Sequence, residues 1–240
     1  NKKIKNIKRR SKYLLIEMSN KKVILIHLGM TGKFFIEKKK HLKRLSFYYN
    51  LNRNYSHDHL VITLSNKSKL FYNDVRRFGF IKVYKKNDLN KSNHLKYLGP
   101  EPLSRNFNFR YLSEQLKKRS LKIKDFLMNQ RVVSGLGNIY VNEILFSSKV
   151  LPKRKSSSLK SFEISKIISN TKKILKKSIR FGGSSIRDFK NMQGRSGKFQ
   201  QEFEIYGKCD QNCSNTNCKG IIKLVKISNR ATYYCNQCQK

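Results

Sequence analysis

All five cysteines of this 240-residue chain lie between Cys209 and Cys238. A tail this short cannot bury a hydrophobic core of its own, so a bound metal would have to supply part of its folding free energy. Two close cysteine pairs about 15–20 residues apart are typical of a four-thiolate Zn²⁺ site. Cys213, Cys218, Cys235 and Cys238 have this spacing, although Cys209 could replace Cys213 as the fourth ligand. The sequence therefore predicts one structural Zn²⁺ site. The alternative is a vestigial ribbon that no longer binds metal.

The strong positive charge of the chain predicts its partner. The chain contains 54 Lys+Arg against 14 Asp+Glu, a formal net charge of +40. Nucleic-acid phosphates bind such chains through counterion release, so we predict a nucleic-acid-binding protein. A membrane surface or an acidic protein is the alternative partner. The sequence has no run of about 20 apolar residues and no signal-peptide pattern, so we expect neither a transmembrane helix nor secretion.

The hydrophobic pattern predicts an α+β fold that changes from strands to helices along the chain. Residues 13–84 favour an antiparallel β-sandwich, whereas residues 161–181 have apolar residues at helical spacing with lysines on the other face. Predicted strands cover 13–17, 23–27, 33–36, 60–64, 70–72 and 78–84, and shorter helices cover 110–118, 122–129, 138–147 and 185–191. The cysteine tail favours a hairpin of strands 221–225 and 231–234, with Arg230 near its tip.

Several short motifs occur in order along residues 9–238 and are specific only in combination. They are RRSKYLL at 9–15, HLGMTG at 27–32, NDVRRFG at 73–79, LGPEPL at 98–103, GLGNIYVNE at 135–143, GGSSIRDF at 182–189, YG at 206–207 and RATYYC at 230–235. Together they resemble formamidopyrimidine-DNA glycosylase, a bacterial enzyme that removes oxidised purines from DNA. The resemblance also favours Cys213 over Cys209, because it places a ligand seven residues after Tyr206.

The resemblance implies a DNA-repair enzyme with three domains. These would be an incomplete β-sandwich domain at residues 1–90, a helix–two-turn–helix domain at 91–202 and a C-terminal zinc finger at 203–240. The implied activity is base-excision repair: removal of 8-oxoguanine and formamidopyrimidines, then strand cleavage at the abasic site by β,δ-elimination. The implied partner is damaged double-stranded DNA, bound by a monomer in the bacterial cytoplasm.

Met30, Arg76 and Phe78 match the three residues with which the family fills the space left by an extruded base. The damaged base must leave the stack before its glycosidic bond can be reached. A thioether and an aromatic ring can wedge into the stack, and a guanidinium can pair with the orphaned base. We call these three residues the insertion triad.

Other residues match the family's DNA-backbone contacts. They are His57, Lys124, Asn138 and Arg230, and Asn138 stands where a helix is predicted to begin, a position that favours anions. Residues 192–199 resemble the family's loop over the damaged base.

Two matching residues belong to the chemistry that the resemblance implies. Lys12 matches a lysine that assists β-elimination, and Arg230 matches a residue that assists δ-elimination. The family's nucleophile is the amine of an N-terminal Pro beside a Glu, whereas the printed sequence begins Asn1-Lys2-Lys3 and has Pro only at 100, 102 and 152. We therefore expect this polypeptide to be less stable and to lack normal glycosylase chemistry, with weak lyase action through Lys12 as a hypothesis.

Two other functions compete with a complete enzyme. One is a catalytically impaired protein that binds damaged DNA without cutting it. The other is a zinc-ribbon RNA-binding or ribosomal protein, which explains the charge and the cysteines but not the ordered motifs.

Overall fold

A computed structural model describes residues 2–37, 54–184 and 197–240. Their contacts group the chain into two compact units, one formed by residues 1–92 with 181–200 and the other by 93–180 with 201–240. The three-domain division of the sequence remains a prediction. In the described part of the chain, no helix is both long and apolar enough to cross a membrane.

The first unit contains two antiparallel sheets. The four-stranded sheet has the order β1-β2-β3-β7, and the three-stranded sheet has the order β4-β6-β5. The strands are β1 Ile4–Arg10, β2 Tyr13–Met18, β3 Lys22–His27, β4 Lys33–Glu37, β5 Asp58–Thr63, β6 Lys69–Asn73 and β7 Phe80–Lys85.

Apolar residues of β2 and β3 form much of the buried core of this unit. Leu15 pairs with Leu25 across the two strands. Val23, Leu25 and Ile26 are almost completely buried, so the central strands bury their branched side chains as a β-sheet surface favours. The six predicted strands are all found, but β1 was not predicted, because its sequence IKNIKRR has no alternation and is exposed along most of its length.

The second unit is built from four helices and a two-stranded ribbon. The helices are α1 Phe109–Lys117, α2 Ile123–Met128, α3 Asn138–Ser147 and α4 Ser161–Arg180. In α4, Ile164, Ile167 and Ile168 pack into a core with residues of the other three helices, and lysines occupy the opposite face. The predicted helix at 185–191 lies outside the described residues, whereas the others match to within about two residues, the ordinary uncertainty of helix ends.

The ribbon consists of β8 Ile222–Ile227 and β9 Arg230–Cys235. Ser228 and Asn229 join the strands with φ of 48° and 58°, the left-handed pair that a tight hairpin turn requires. Ile227 pairs with Arg230, so Arg230 is the first residue after the turn, as predicted. The predicted α+β fold is thus confirmed.

Candidate nucleic-acid interface and metal centre

The insertion triad forms one cluster in the first unit. Met30 lies in the loop between β3 and β4, whereas Arg76 and Phe78 lie in the loop between β6 and β7. Arg76 Nη1 donates to Met30 Sδ at 3.3 Å, and Arg76 Cζ lies 4.6 Å from the centroid of the Phe78 ring. Met30 and Phe78 are 55% and 57% exposed. Two large apolar side chains and a guanidinium therefore project together into solvent.

The two loops of the triad are closely packed. Gly29 has a φ of +63°, and a Cβ on it would lie 2.6 Å from Gly79 N and 2.7 Å from Phe78 C. A side chain at position 29 would therefore force the loops apart, and glycine also adopts this left-handed conformation without strain.

A buried carboxylate lies beneath the triad. Asp74 is completely buried and receives hydrogen bonds from Thr31 Oγ1, Gly79 N and Tyr72 Oη. Burial raises the pKa of Asp74, but hydrogen bonds from Thr31, Gly79 and other donors outweigh it and lower the pKa overall. The carboxylate is therefore ionised at neutral pH. Sequence reasoning missed Asp74, although it stands within the NDVRRFG motif.

Lys12 and His57 lie in other segments of the same unit. Lys12 is exposed in the tight turn between β1 and β2, directly after Ser11, which has a φ of 55°. His57 ends a single 3-10 turn, Tyr55–His57, and its carbonyl oxygen accepts from Asp74 N at 3.0 Å. The backbone thus links His57 to the buried carboxylate beneath the triad. In the loop 192–199, residues 192–196 lie outside the described part of the chain.

Three predicted DNA-binding residues of the second unit converge on the start of β9. Lys124 Nζ donates to Ala231 O at 2.9 Å and to Thr232 Oγ1 at 2.6 Å. Asn138 Nδ2 donates to the same Ala231 carbonyl at 3.0 Å. The backbone that positions Arg230 is therefore held by α2 and by the first residue of α3, while the Arg230 side chain itself is exposed.

Lys124, which the resemblance implies as a DNA-backbone contact, lies inside the second unit. Its side chain is completely buried. Burial lowers the pKa of Lys124 to about 8; nearby Asp125 opposes this shift, and nearby Arg230 adds to it. In this structure the ammonium group is a link between α2 and the ribbon.

The four predicted ligand cysteines form a compact cluster. The sulfur atoms of Cys213, Cys218, Cys235 and Cys238 all lie within 4.8 Å of one another. The distances Cys213–Cys238 and Cys218–Cys235 are both 3.6 Å, close to the separation of about 3.8 Å expected in a tetrahedron with Zn–S bonds of about 2.3 Å. The donor set therefore fits a tetrahedral metal ion. Cys209 instead donates to Asp210 at 3.2 Å and does not belong to this cluster, which contains Cys213.

A second buried carboxylate fixes the segment that leads into the cysteine cluster. Glu143 on α3 is 3% exposed and accepts from the backbone N–H groups of Glu204, Ile205 and Tyr206 at 2.9, 3.2 and 2.8 Å. Burial raises the pKa of Glu143, and the three N–H groups only partly offset this effect. Glu143 stands within the GLGNIYVNE motif, but the sequence alone predicts no role for it.

Comparisons with known proteins agree with this geometry. The family model of the formamidopyrimidine-DNA glycosylase N-terminal domain matches residues 1–81, and that of the formamidopyrimidine-DNA glycosylase H2TH domain matches residues 98–190. A formamidopyrimidine-DNA glycosylase of Roseobacter denitrificans is 36% identical over 239 residues, covering 100% of this chain and 83% of that protein.

Two solved structures with the same fold are complexes with DNA. Lactococcus lactis Fpg with an abasic-site-containing DNA matches with a TM-score of 0.86 and 34% identity. MutM in complex with DNA containing carbocyclic 8-oxo-G matches with the same TM-score and identity. Each match covers 100% of this chain and 83% of the other chain.

Proposed function

Because the chain belongs to the formamidopyrimidine-DNA glycosylase family, we propose that it acts in base-excision repair, removing oxidised purines from duplex DNA and cleaving the strand at the abasic site. The observation that carries the proposal is the insertion triad. An exposed cluster of thioether, guanidinium and phenyl groups suits a DNA stack from which one base has been extruded. Relatives bound to abasic and 8-oxo-G DNA support this substrate class.

In the proposed mechanism each unit supplies its own contacts to DNA. The triad fills the vacated space and keeps the damaged nucleotide outside the helix. Arg230 and the N-terminus of α3 bind backbone phosphates, since a helix start presents backbone N–H groups that favour anions. We assign Lys124 to holding the ribbon backbone next to Arg230, because its own ammonium group is buried.

We propose Zn²⁺ as the metal of the cysteine cluster. Four thiolates in a tetrahedral arrangement form a closed site, which is typical of structural zinc and leaves no position for a substrate. The ion would stabilise the ribbon and so place Arg230, without taking part in the reaction.

Lys12 and Arg230 are the groups that we assign to strand cleavage. The Lys12 amine would condense with the C1′ aldehyde of an abasic site, with loss of water, and the resulting Schiff base would permit β-elimination, which expels the 3′ phosphate. The Arg230 guanidinium would assist the second elimination. The test is borohydride trapping on two duplexes, one with 8-oxoguanine and one with an abasic site, using the wild-type chain and Lys12→Ala. A covalent band on the abasic duplex that disappears in Lys12→Ala supports the assignment.

The other possible results of the trapping experiment lead to different conclusions. A band that survives in Lys12→Ala contradicts the role of Lys12. Trapping on 8-oxoguanine would show that glycosylase chemistry proceeds in the polypeptide with the printed sequence. Tight binding without any band would identify the polypeptide as a damaged-DNA-binding protein instead of an enzyme.

Phe78→Ala should lower the preference for damaged over undamaged duplex about tenfold, because stacking of an aromatic ring on a base contributes about 1–3 kcal/mol. Fluorescence anisotropy with two duplexes that differ only in one 8-oxoguanine measures this ratio. Phe162→Ala is the matched control, since Phe162 is 56% exposed on α4 and Phe78 is 57% exposed. Equal effects of the two substitutions would contradict a specific role for Phe78.

Arg230→Ala should weaken binding to damaged and undamaged duplexes alike, because phosphate contacts carry no sequence information. We expect the slope of log affinity against log salt concentration to become shallower by about one unit. Lys173→Ala, on the exposed face of α4, is the control that should leave the slope close to the wild-type value. An unchanged slope in Arg230→Ala would remove this residue from the phosphate contacts.

The buried Lys124 should make stability depend on pH. Its pKa falls from 10.5 in the unfolded chain to about 8, so burial of the charge costs stability below about pH 8. This cost disappears as the pH rises from about 8 to 10.5. Relative to Lys124→Met, the wild type should gain up to about 3 kcal/mol of unfolding free energy over this range. Urea unfolding of both proteins at about pH 7 and about pH 10 measures the gain, and parallel pH profiles would contradict it.

A further inference from the structure

We propose that Asp74 is a positioning residue that couples the two loops of the insertion triad, so that Met30, Arg76 and Phe78 are presented to DNA as one rigid group. The inference rests on the proposed function, because it assigns a purpose to the triad. Asp74 itself is completely buried and need not touch DNA. It would act by fixing the geometry of residues that do.

The side chain of Asp74 bonds to both loops. Its Oδ1 accepts from Thr31 Oγ1, in the loop that carries Met30. Its Oδ2 accepts from Gly79 N at 2.8 Å, in the loop that carries Arg76 and Phe78. Tyr72 Oη also donates to Oδ2, at 3.2 Å. One carboxylate therefore holds two loops that are more than forty positions apart in the sequence.

Thr31 completes the connection. Its hydroxyl group donates to Asp74 and accepts from Arg76 N at 3.0 Å. The hydroxyl proton is committed to the carboxylate, which leaves an oxygen lone pair directed to the backbone of Arg76. The residue after Met30 is thus bonded to the backbone of the second triad member through a single hydroxyl oxygen.

The backbone of Asp74 extends the coupling to a third segment. Asp74 N donates to His57 O at 3.0 Å, and the Asp74 carbonyl oxygen lies 2.9 Å from His59 Nε2. The same residue therefore also fixes the position of the His57 segment, which we expect to contact the DNA backbone.

This arrangement needs an ionised carboxylate. A carboxylate offers acceptors only, whereas an asparagine amide offers one oxygen and an NH₂ group that would face the N–H or O–H donors. Asp74→Asn would therefore keep the shape of the side chain but leave at least one of the donors Thr31, Gly79 and Tyr72 without its acceptor. The triad side chains would be chemically unchanged but less well ordered in the protein without DNA. Ordering them on binding would cost free energy and so weaken the affinity for DNA.

The experiment compares wild type, Asp74→Asn, Thr31→Val and Thr31→Ser. Valine has the size of threonine but cannot donate to Asp74 or accept from Arg76, whereas serine retains the hydroxyl group. The first readout is amide hydrogen exchange of residues 76 and 79 in the protein without DNA. The second is the affinity ratio for duplexes with and without 8-oxoguanine.

We expect exchange at residues 76 and 79 to accelerate about tenfold in Thr31→Val and Asp74→Asn, the change that loss of one buried hydrogen bond produces. Exchange in β2 and β3 should stay unchanged. The preference for damaged DNA should fall about tenfold while affinity for undamaged duplex is retained, and Thr31→Ser should remain within about twofold of wild type.

Three results would show whether the coupling, its role in recognition or the proposed function is wrong. Unchanged exchange at residue 79 in Thr31→Val overturns the coupling, whatever the DNA result, because residue 76 loses its own acceptor in that variant and residue 79 does not. Faster exchange with an unchanged preference for damaged DNA overturns the role of the coupling in recognition. If wild type itself shows no preference for damaged DNA, the proposed function fails, and the exchange data still decide the coupling. If Asp74→Asn does not fold, the two Thr31 variants carry the test.

Discussion

Replacing Cys235 with serine should remove the bound metal and weaken binding to duplex DNA on the order of a hundredfold. Cys235 is completely buried in a small core with Phe146, Ile205 and Ile222, and its sulfur lies 3.6 Å from that of Cys218. A structural zinc site contributes on the order of 10 kcal/mol to the folding of such a small element. Serine is a poor zinc ligand, so the ribbon should lose its fixed structure and Arg230 its fixed position.

Cys209→Ser is the matched control for this prediction. It is the same substitution in the same tail, but Cys209 bonds to Asp210 and does not join the cysteine cluster. Metal content per chain, measured by mass spectrometry of metals, should fall from about one to about zero in Cys235→Ser only. DNA affinity should follow the same pattern. Loss of metal in both variants would contradict the ligand set, and retained metal in Cys235→Ser would contradict the site.

Glu143→Gln should lower the free energy of unfolding by about 2–4 kcal/mol. The Glu143 carboxylate accepts three backbone N–H groups from residues 204–206 in a buried position. Glutamine has nearly the same shape but only one acceptor oxygen, so its NH₂ group would face N–H donors. At least one buried N–H donor would then have no acceptor. An unpaired buried donor lowers the free energy of unfolding by more than an average hydrogen bond contributes to it.

The control for Glu143→Gln is Glu114→Gln on α1. Glu114 is exposed and pairs with Arg110 across one helical turn, an interaction worth only about 0.3–0.5 kcal/mol. Urea unfolding at a fixed zinc concentration measures both differences. Similar small effects of the two substitutions would show that Glu143 does not hold residues 204–206 in place.

Much of the fold followed from local pattern. The helix α4 was predicted to within one residue because its apolar positions repeat at helical spacing and glycines follow it; in the structure Gly182 has a φ of +72°. Strands β2 and β3 followed from their apolar runs. The sequence did not predict strand β1. Its place in the sheet depends on backbone hydrogen bonds to β2, and these produce no hydrophobic pattern in a strand whose side chains are mostly exposed.

The candidate site was predicted as a set of residues but not as an arrangement. The motifs identified the insertion triad, Arg230 and the cysteines, yet spacing alone could not decide between Cys209 and Cys213. The structure supports Cys213, because it brings the Cys213 sulfur to 3.6 Å from that of Cys238, whereas Cys209 donates to its neighbour Asp210. Similarly, the motifs matched Lys124 to a DNA-backbone contact, and only the structure shows that its side chain is buried.

The sequence by itself determined the types of element and the family, and it predicted the candidate site residues. The tertiary structure decided which polar groups are buried and what they bind. Thr31 and Asp74 are 43 positions apart, Glu143 and Ile205 are 62 apart, and Lys124 and Thr232 are 108 apart. No local pattern records such pairs, because the burial and hydrogen bonding of a polar group depend on which distant segments the folded chain brings against it.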